Sequence, residues 1–416
     1  MNFKSEFLKE YYLRGYFDNS TNNDMIDSIF CNNQITAYIG FDCTANDLHI
    51  GSLVQIMILR LLIKHNHNAI ILLGQGTTKI GDPSGKDSSR QILDDQTILK
   101  NLSSIKNSIA KFLPTNSNLF KFVNNNDWLA ELNYINFLRD IGSKFSINRM
   151  LNFDSVKLRL ERQQNLSFLE FNYMILQAYD FYMINSKYNC QLQIGGSDQW
   201  GNIVNGVELT RRLNDKATYV YGLTSPLITT ANGKKMGKTE KSAIWLNEEN
   251  LNPYDYFQYF RNIDDKDVKK FLLLFSELDI NYINSICAKG GHDINKAKEI
   301  LAYETTKLCH GDEHAKYCLN KAQQIFNNNS VSNIEETIIK YDTSKIKLAE
   351  IVKYCSKCDS LGQAKKLITG NAVKINDKVN SDFNFYFDSN LKFNLQIGKK
   401  KFFKVNLILK NNNEKA

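Results

Sequence analysis

Residues 35–73 read ITAYIGFDCTANDLHIGSLVQIMILRLLIKHNHNAIILL. Segment 35–41 (ITAYIGF) alternates and is β-branched, 69–73 (AIILL) is a short continuous apolar run, and 53–63 (LVQIMILRLLI) between them is apolar nearly all round. The outer two have the composition of strands, the middle one that of a helix packed on a sheet. Strand, helix and strand in that order imply a right-handed parallel crossover and an α/β body. Segment 190–194 (CQLQI) alternates again and supplies a further strand. Each of these runs ends in glycines and polar residues. Ligands of parallel sheets bind beyond the carboxyl ends of the strands, so the site is expected on that rim.

Downstream, glycines thin out from about Leu246 to Asn327 and helical spacing takes over, as at Ile300, Leu301, Thr305 and Leu308. Residues 327–336 (NNNSVSNIEE) carry no apolar period and read as linker. Beyond them, 348–354 and 360–368 have the pattern of two short helices, the second capped by Ser360 and stopped by Gly370. A hairpin follows, with Val373 and Ile375 alternating before Asn376-Asp377, and FFKVNLILK (402–410) is a late strand.

Of the 416 residues, 43% are hydrophobic and 23% charged, ordinary globular usage that excludes collagenous, wholly disordered and polytopic membrane chains. The longest apolar runs, 69–73 and 271–275, fall far short of the ~20 residues of a membrane span. Glu6, Glu10, Asp18, Asp24 and Asp27 near the start fit neither a secretory signal nor a transit peptide, so a cytoplasmic protein is expected. The eight cysteines are scattered, only Cys355 and Cys358 being close, and read as reduced; no metal site is expected. His310 and His314 stand four apart without an HExxH pattern and read as a solvated helix face. The formal charge of +8 resides in the tail, where residues 341–416 hold fifteen lysines and seven acids. A basic terminal unit on a neutral body points to a polyanionic partner.

Generic nucleotide signatures fail. After Gly74 and Gly76 a dinucleotide pattern needs glycine where Lys79 stands; in GDPSGKD (81–87) the glycines are too close for a P-loop, and Asp87 replaces its Ser or Thr. What stands instead is an ordered set: YIGFDCT (38–44), HIGS (49–52), GDPSGK (81–86), GGSDQ (195–199) and KMGKT (235–239). Together these resemble a class I aminoacyl-tRNA synthetase, specifically the bacterial or organellar tyrosyl-tRNA synthetases, over essentially the whole chain. The sequence departs from that pattern at Ser52, where the family usually has a second histidine, at Cys43, usually proline, and at Gln75, usually a small residue.

The resemblance implies a Rossmann-like catalytic domain with an insertion (1–228), a mobile KMGKT loop (229–245), a helical anticodon-side domain (246–326), a linker (327–344) and a small basic α+β RNA-binding domain akin to a small-subunit ribosomal protein (345–416). It implies ATP with Mg²⁺, tyrosine and tRNA-Tyr as substrates, and a homodimer. His49, at a helix start, offers an imidazole donor beside helix N-terminal amides where a triphosphate would lie, and Gly51 leaves room for close approach. Lys235 and Lys238, with Thr239, form an arm able to neutralise charge developing at phosphorus. By the resemblance, Lys86 and Arg90 contact the leaving pyrophosphate, while Asp42, Thr44, Asp198 and Gln199 join His49, Ser52 and Gly51 on the ATP side. Tyr173, Gln177 and Asp180 (YMILQAYD, 173–180) form a polar stripe on one helix face, which a bound group must satisfy. The family assigns Asp82, Tyr173 and Gln177 to the ammonium of tyrosine and Tyr38 with Asp180 to its phenol. Lys365, Lys366, Lys374 and Lys378 are expected on tRNA phosphates. Two other readings stay open here: a non-catalytic RNA-binding protein, and a related ligase for another amino acid, tryptophan being nearest.

Overall fold

A computed structural model of the chain describes residues 1–84, 92–214, 219–231, 243–288, 292–327, 336–342, 345–356, 358, 360–398 and 401–409. The chain divides into two compact units, Met1–Leu319 and Asn320–Ala416.

The first unit is built on a six-stranded sheet: β1 (Asn19–Ser20), β2 (Thr36–Asp42), β3 (Asn68–Gly74), β4 (Phe120–Asn124), β5 (Leu192–Gly196) and β6 (Tyr221–Ser225), in the order β1-β6-β5-β2-β3-β4. All neighbours are parallel except β1 against β6. The crossover between β2 and β3 is the helix Ile50–Lys64, whose Leu53, Val54, Ile56, Met57, Ile58, Leu59, Leu61 and Leu62 are all buried, as its unbroken apolar surface requires. β3 is buried along nearly its whole length, so the AIILL run is a central strand covered on both faces. Between β4 and β5 lies a helical stretch that ends in the long helix Phe168–Tyr188, opened by a capping box of Ser167 and Glu170.

Helices Pro253–Arg261, Val268–Phe275, Ile280–Cys287 and His292–His310 follow, burying Tyr256, Phe257, Phe260, Phe271, Leu272, Phe275 and Leu301. The N-terminal segment is bound to this region: the Arg14 guanidinium donates to the carbonyls of Leu273, Ser276 and Leu278, and the Tyr16 hydroxyl to that of Leu274. The carbonyls of Leu273, Leu274 and Ser276 are at the end of the helix Val268–Phe275, where helical partners run out, so a cation is well placed there. His310 departs from the expected solvated face. Its ring packs 5.0 Å from that of Tyr256, and burial lowers its pKa to about 4, while His314 is exposed. Helical period places His310 on the inner face, which a four-residue spacing alone does not reveal.

The second unit has strands β7 (Glu336–Tyr341), β8 (Ile346–Lys347), β9 (Val373–Ile375), β10 (Lys378–Val379), β11 (Tyr386–Phe387), β12 (Leu391–Ile397) and β13 (Lys401–Leu409). Five form a sheet in the order β10-β9-β12-β13-β7. Helices Leu348–Ser356 and Leu361–Thr369 pack on it, the second capped by Ser360, whose Oγ accepts from Gln363 N at 3.3 Å. Asn376 and Asp377 both take positive φ, 45° and 65°, in the two-residue turn that joins β9 and β10. One expectation is corrected: 336–341, placed in the linker 327–344, is strand β7, paired in parallel with β13. Among the described residues no helix is long and apolar enough to cross a membrane.

Candidate active site

Strand order reverses between β2 and β5, the point at which a doubly wound sheet opens a ligand crevice. The ladder geometry makes that opening concrete. β2 pairs with β3 over seven residues but with β5 only at Ala37–Leu192 and Tyr38–Gln193. Beyond Tyr38 the two strands part, leaving Gly40–Asp42 on one side and Gly195–Gly196 on the other.

A buried polar chain closes the floor of this crevice. The Tyr173 hydroxyl donates to Asp42 Oδ2 at 2.9 Å, and Thr77 Oγ1 donates to Asp42 Oδ1 at 2.8 Å. Thr77 accepts from Asn125 Nδ2 at 2.9 Å; the same amide nitrogen donates to Asp180 Oδ2 at 3.0 Å, and Trp128 Nε1 donates to Asp180 Oδ1 at 2.8 Å. Asn125 Oδ1 in turn accepts from the Gly76 N–H. Burial pushes the Asp180 carboxyl up to about 7 against its two hydrogen bonds, with nearby Asp42 adding to the rise. Tyr38, 1% exposed, has its phenol raised well above the ordinary value, by burial first and Asp180 second. Its hydroxyl and Gln177 Oε1 are buried without a hydrogen-bond partner among the described residues. Such atoms are costly unless a ligand completes them.

Gly74 makes this packing possible: a Cβ there would fall inside the Asp42 carboxylate and 2.6 Å from Thr77 Oγ1. We expect Gly74→Ala to destabilise the protein by about 1–3 kcal/mol, measured by denaturant unfolding, since neither neighbour can move without breaking the chain of bonds. Wild-type stability would contradict this.

His49 caps the helix Ile50–Lys64. Its Nδ1 accepts from the Gly51 N–H at 2.9 Å, which places the proton of a neutral ring on Nε2. Gly51 also has a role within the chain. A Cβ on it would sit 2.5 Å from His49 Cε1 and 2.8 Å from Nδ1, so the glycine makes room for the imidazole itself. Ser52 donates its backbone N–H to His49 O.

The approach to His49 is fixed by residues the sequence did not single out. Asp47, 3% exposed, accepts from Leu48 N, Asn247 N and Asn250 Nδ2, and Asn247 is held by Ser108 and Lys111. Trp245 bridges His49 in antiparallel fashion, so segment 244–246 runs alongside 48–50. Across the crevice, Asp82 accepts from Ser84 N through Oδ1 and from Gln199 Nε2 through Oδ2, and Asp198 Oδ1 lies over Gly196. Asp42 and Gln199 are partly exposed and Thr44 is exposed.

The structure thus places Asp42 at the carboxyl end of β2, with Tyr173 bonded to it, Asp198 and Gln199 just after β5, with Asp82 bonded to Gln199, and Asp180 bonded to residues that follow β4; Tyr38 lies within β2, Gln177 on the helix of Tyr173 and Asp180, and His49 and Gly51 at the adjoining helix start. Lys86, Arg90, Lys235, Lys238 and Thr239 lie outside the described residues. In the second unit Lys365, Lys366 and Lys378 are exposed and Lys374 half-buried. The contacts that sequence reading missed are Thr77, Asn125 and Trp128. Asn125 directly follows β4, on the rim where ligands bind, and that position was the available signal. Among the described residues no group of three or more His, Cys, Asp or Glu could hold a metal ion.

A crevice at the switch point, a histidine-capped helix after β2 and a buried carboxylate floor make this the ligand site of a doubly wound α/β domain. The family model for class I tRNA synthetases of the tryptophan and tyrosine group matches residues 31–327. The tyrosine–tRNA ligase of Wolbachia sp. subsp. Brugia malayi (strain TRS) is 50% identical, over 97% of this chain and 99% of that one. The tyrosine–tRNA ligase of Pelagibacter ubique (strain HTCC1062) is 49% identical, over 97% and 100%. A C-terminally truncated mitochondrial tyrosyl-tRNA synthetase of Aspergillus nidulans superposes with a TM-score of 0.70 at 29% identity, over 78% of this chain and 95% of that one. The chain belongs to the tyrosine–tRNA ligase family of class I aminoacyl-tRNA synthetases.

Proposed function

We propose that this chain activates tyrosine with Mg²⁺-bound ATP in the β2–β5 crevice and then esterifies the terminal adenosine of tRNA-Tyr. The observation that carries the reading is the pair formed by the unpartnered Tyr38 hydroxyl and the buried Asp180 carboxylate, a donor and an acceptor suited to a phenol. Asp82, Tyr173 and Gln177 receive the ammonium group. The tyrosine carboxylate attacks the α-phosphate and pyrophosphate leaves; a ribose hydroxyl of the tRNA then attacks the acyl carbon and AMP leaves. The nucleophile comes from the substrates, so the protein's task is alignment and charge stabilisation. His49 Nε2, Ser52, Lys86, Arg90, Lys235, Lys238 and Thr239 serve the phosphates, and Asp42, Thr44, Gly51, Asp198 and Gln199 the nucleoside side.

Calorimetric titration without ATP tests the pocket. Tyrosine is expected to bind on the order of ten- to a hundredfold more tightly than phenylalanine, which leaves Tyr38 and Asp180 unsatisfied. Equal affinities would refute the assignment.

The surplus of lysines supports the second unit as the module that grips tRNA, through Lys365, Lys366, Lys374 and Lys378. Because β7 belongs to that unit, a truncation is drawn after Asn327. It should raise the KM for tRNA at least about tenfold with pyrophosphate exchange retained; equal losses in both would contradict the role. Exposed Tyr134, Ile135, Leu138, Ile147, Leu160 and Phe168 support a homodimer formed through the 134–169 region. A cytoplasmic location accords with this chemistry.

A further inference from the structure

The second unit's sheet has two unlike faces. Ile339, Tyr341, Val373, Phe393, Leu395, Ile397, Val405 and Leu407 point inward and form one core with the two helices. Side chains alternate along a strand, so the residues between them share the opposite face. The register aligns that face in rows: Lys374 beside Gln396 beside Phe402, Asn394 beside Lys404 beside Glu336, Lys392 beside Asn406 beside Ile338, and Ile408 beside Lys340. Every member of these rows is exposed or half-exposed.

Four lysines stand here against one acid. Glu336 is engaged within the face, by Lys392 Nζ at 2.7 Å and Asn406 Nδ2 at 3.1 Å, so it offsets one lysine and leaves a net positive surface. A sheet face that only meets water has no need of one sign, and like charges across a sheet cost stability. We propose that this face is a second RNA-contacting surface, on the side of the sheet opposite the Leu361–Thr369 helix that carries Lys365 and Lys366. Lys340, Lys374 and Lys404 take phosphates as point charges, the amides of Asn394, Gln396 and Asn406 offer both donors and acceptors to 2′-hydroxyls and base edges, and Phe402 presents a ring to an unpaired base. The inference rests on the reading of the chain as a tRNA-charging enzyme, and it assigns the RNA to two sides of one module.

The test uses the full-length enzyme and tRNA-Tyr transcript, with binding measured by anisotropy over a range of salt and pyrophosphate exchange followed in parallel. Lys340→Gln with Lys404→Gln should weaken binding about tenfold and reduce the slope of log affinity against log salt by about 1.4, the release expected from two phosphate contacts. Phe402→Ala should lose a further several-fold, and Phe402→Tyr should retain binding. Exchange should be unchanged in all three. Unchanged affinity and slope in the lysine double variant would overturn the proposal, as would a shift in gel-filtration volume with tRNA binding intact, which would make the face a contact between copies. If the wild type lacked exchange altogether, the enzymatic reading would fall while the binding data still judged the face. Should Phe402→Ala not fold, the lysine variant decides alone.

Discussion

Replacing His49 by alanine should lower the rate of tyrosyl-adenylate formation by about 10²–10³ while leaving tyrosine affinity unchanged. The magnitude is that of one preorganised donor aimed at charge that develops in the transition state. The preorganisation is visible in the bonds around the ring. Gly51 N–H holds Nδ1, the missing Cβ of Gly51 admits the ring, and the Trp245 bridge with Asp47 fixes the segment that delivers it. Nε2 is therefore a donor whose direction costs nothing to set when ATP arrives. With the tyrosine site proposed at the β2–β5 floor, away from His49, the loss should appear in kcat and in the KM for ATP, read by stopped-flow fluorescence. A comparable loss of tyrosine affinity would mean that the substitution had disturbed the floor itself.

Asp180→Asn should remove most of the binding preference for tyrosine over phenylalanine, a reduction of at least about tenfold. Both carboxylate oxygens of Asp180 accept, one from Trp128 and one from Asn125. An asparagine has a single acceptor, so its NH₂ would face a donor whichever way it turned. Nor can Asn125 flip to compensate, because its own oxygen is held by Gly76 N and its NH₂ by Thr77. Burying a mismatched pair costs about 1–3 kcal/mol, and the acceptor for the phenol is lost as well. The wild-type carboxyl also makes a pH prediction. Its pKa is raised from 3.8 to about 7 in the folded chain, so between those values the folded state binds more protons than the unfolded one. Its contribution to stability therefore declines as pH rises through that window and is lost above about 7. A phenol donates to the ionised form, so tyrosine affinity should rise from about pH 6 and level off near pH 8, and phenylalanine affinity should not. A flat tyrosine profile, measured by titration calorimetry, would contradict the assignment.

How far the sequence could be read follows the range of the interactions. The β2 strand, the Ile50–Lys64 helix and β3 are set by hydrophobic period over a few residues, and the Ser360 cap and the Asn376-Asp377 turn by local backbone chemistry, so all were legible. The His310 environment was not, because it depends on Tyr256 from another helix. Strand β7 was equally hidden. Its partner β13 is remote in sequence, and polar residues before Glu336 mask its short alternation. In the site, the ordered motifs pointed to Tyr38, Asp42, His49 and Asp82 and the 173–180 stripe to Asp180, but the bonds that hold Asp42 and Asp180 come from Thr77, Asn125 and Trp128. One asparagine in the run 124–126 cannot be told from its neighbours by composition; only the fold brings Asn125 to Asp180. Gly51 was legible as a glycine, while the room it leaves for the His49 ring depends on the cap geometry and was not.

The most direct measurement is ATP–pyrophosphate exchange by the purified full-length chain with Mg²⁺ and each amino acid in turn, without tRNA. Exchange supported by tyrosine and by no other amino acid at comparable efficiency is the result expected from the Tyr38 and Asp180 floor. Exchange supported equally by phenylalanine or tryptophan would contradict the roles given to these two residues, and its absence with every amino acid would contradict adenylate formation itself, with Ser52 the first residue to restore to histidine.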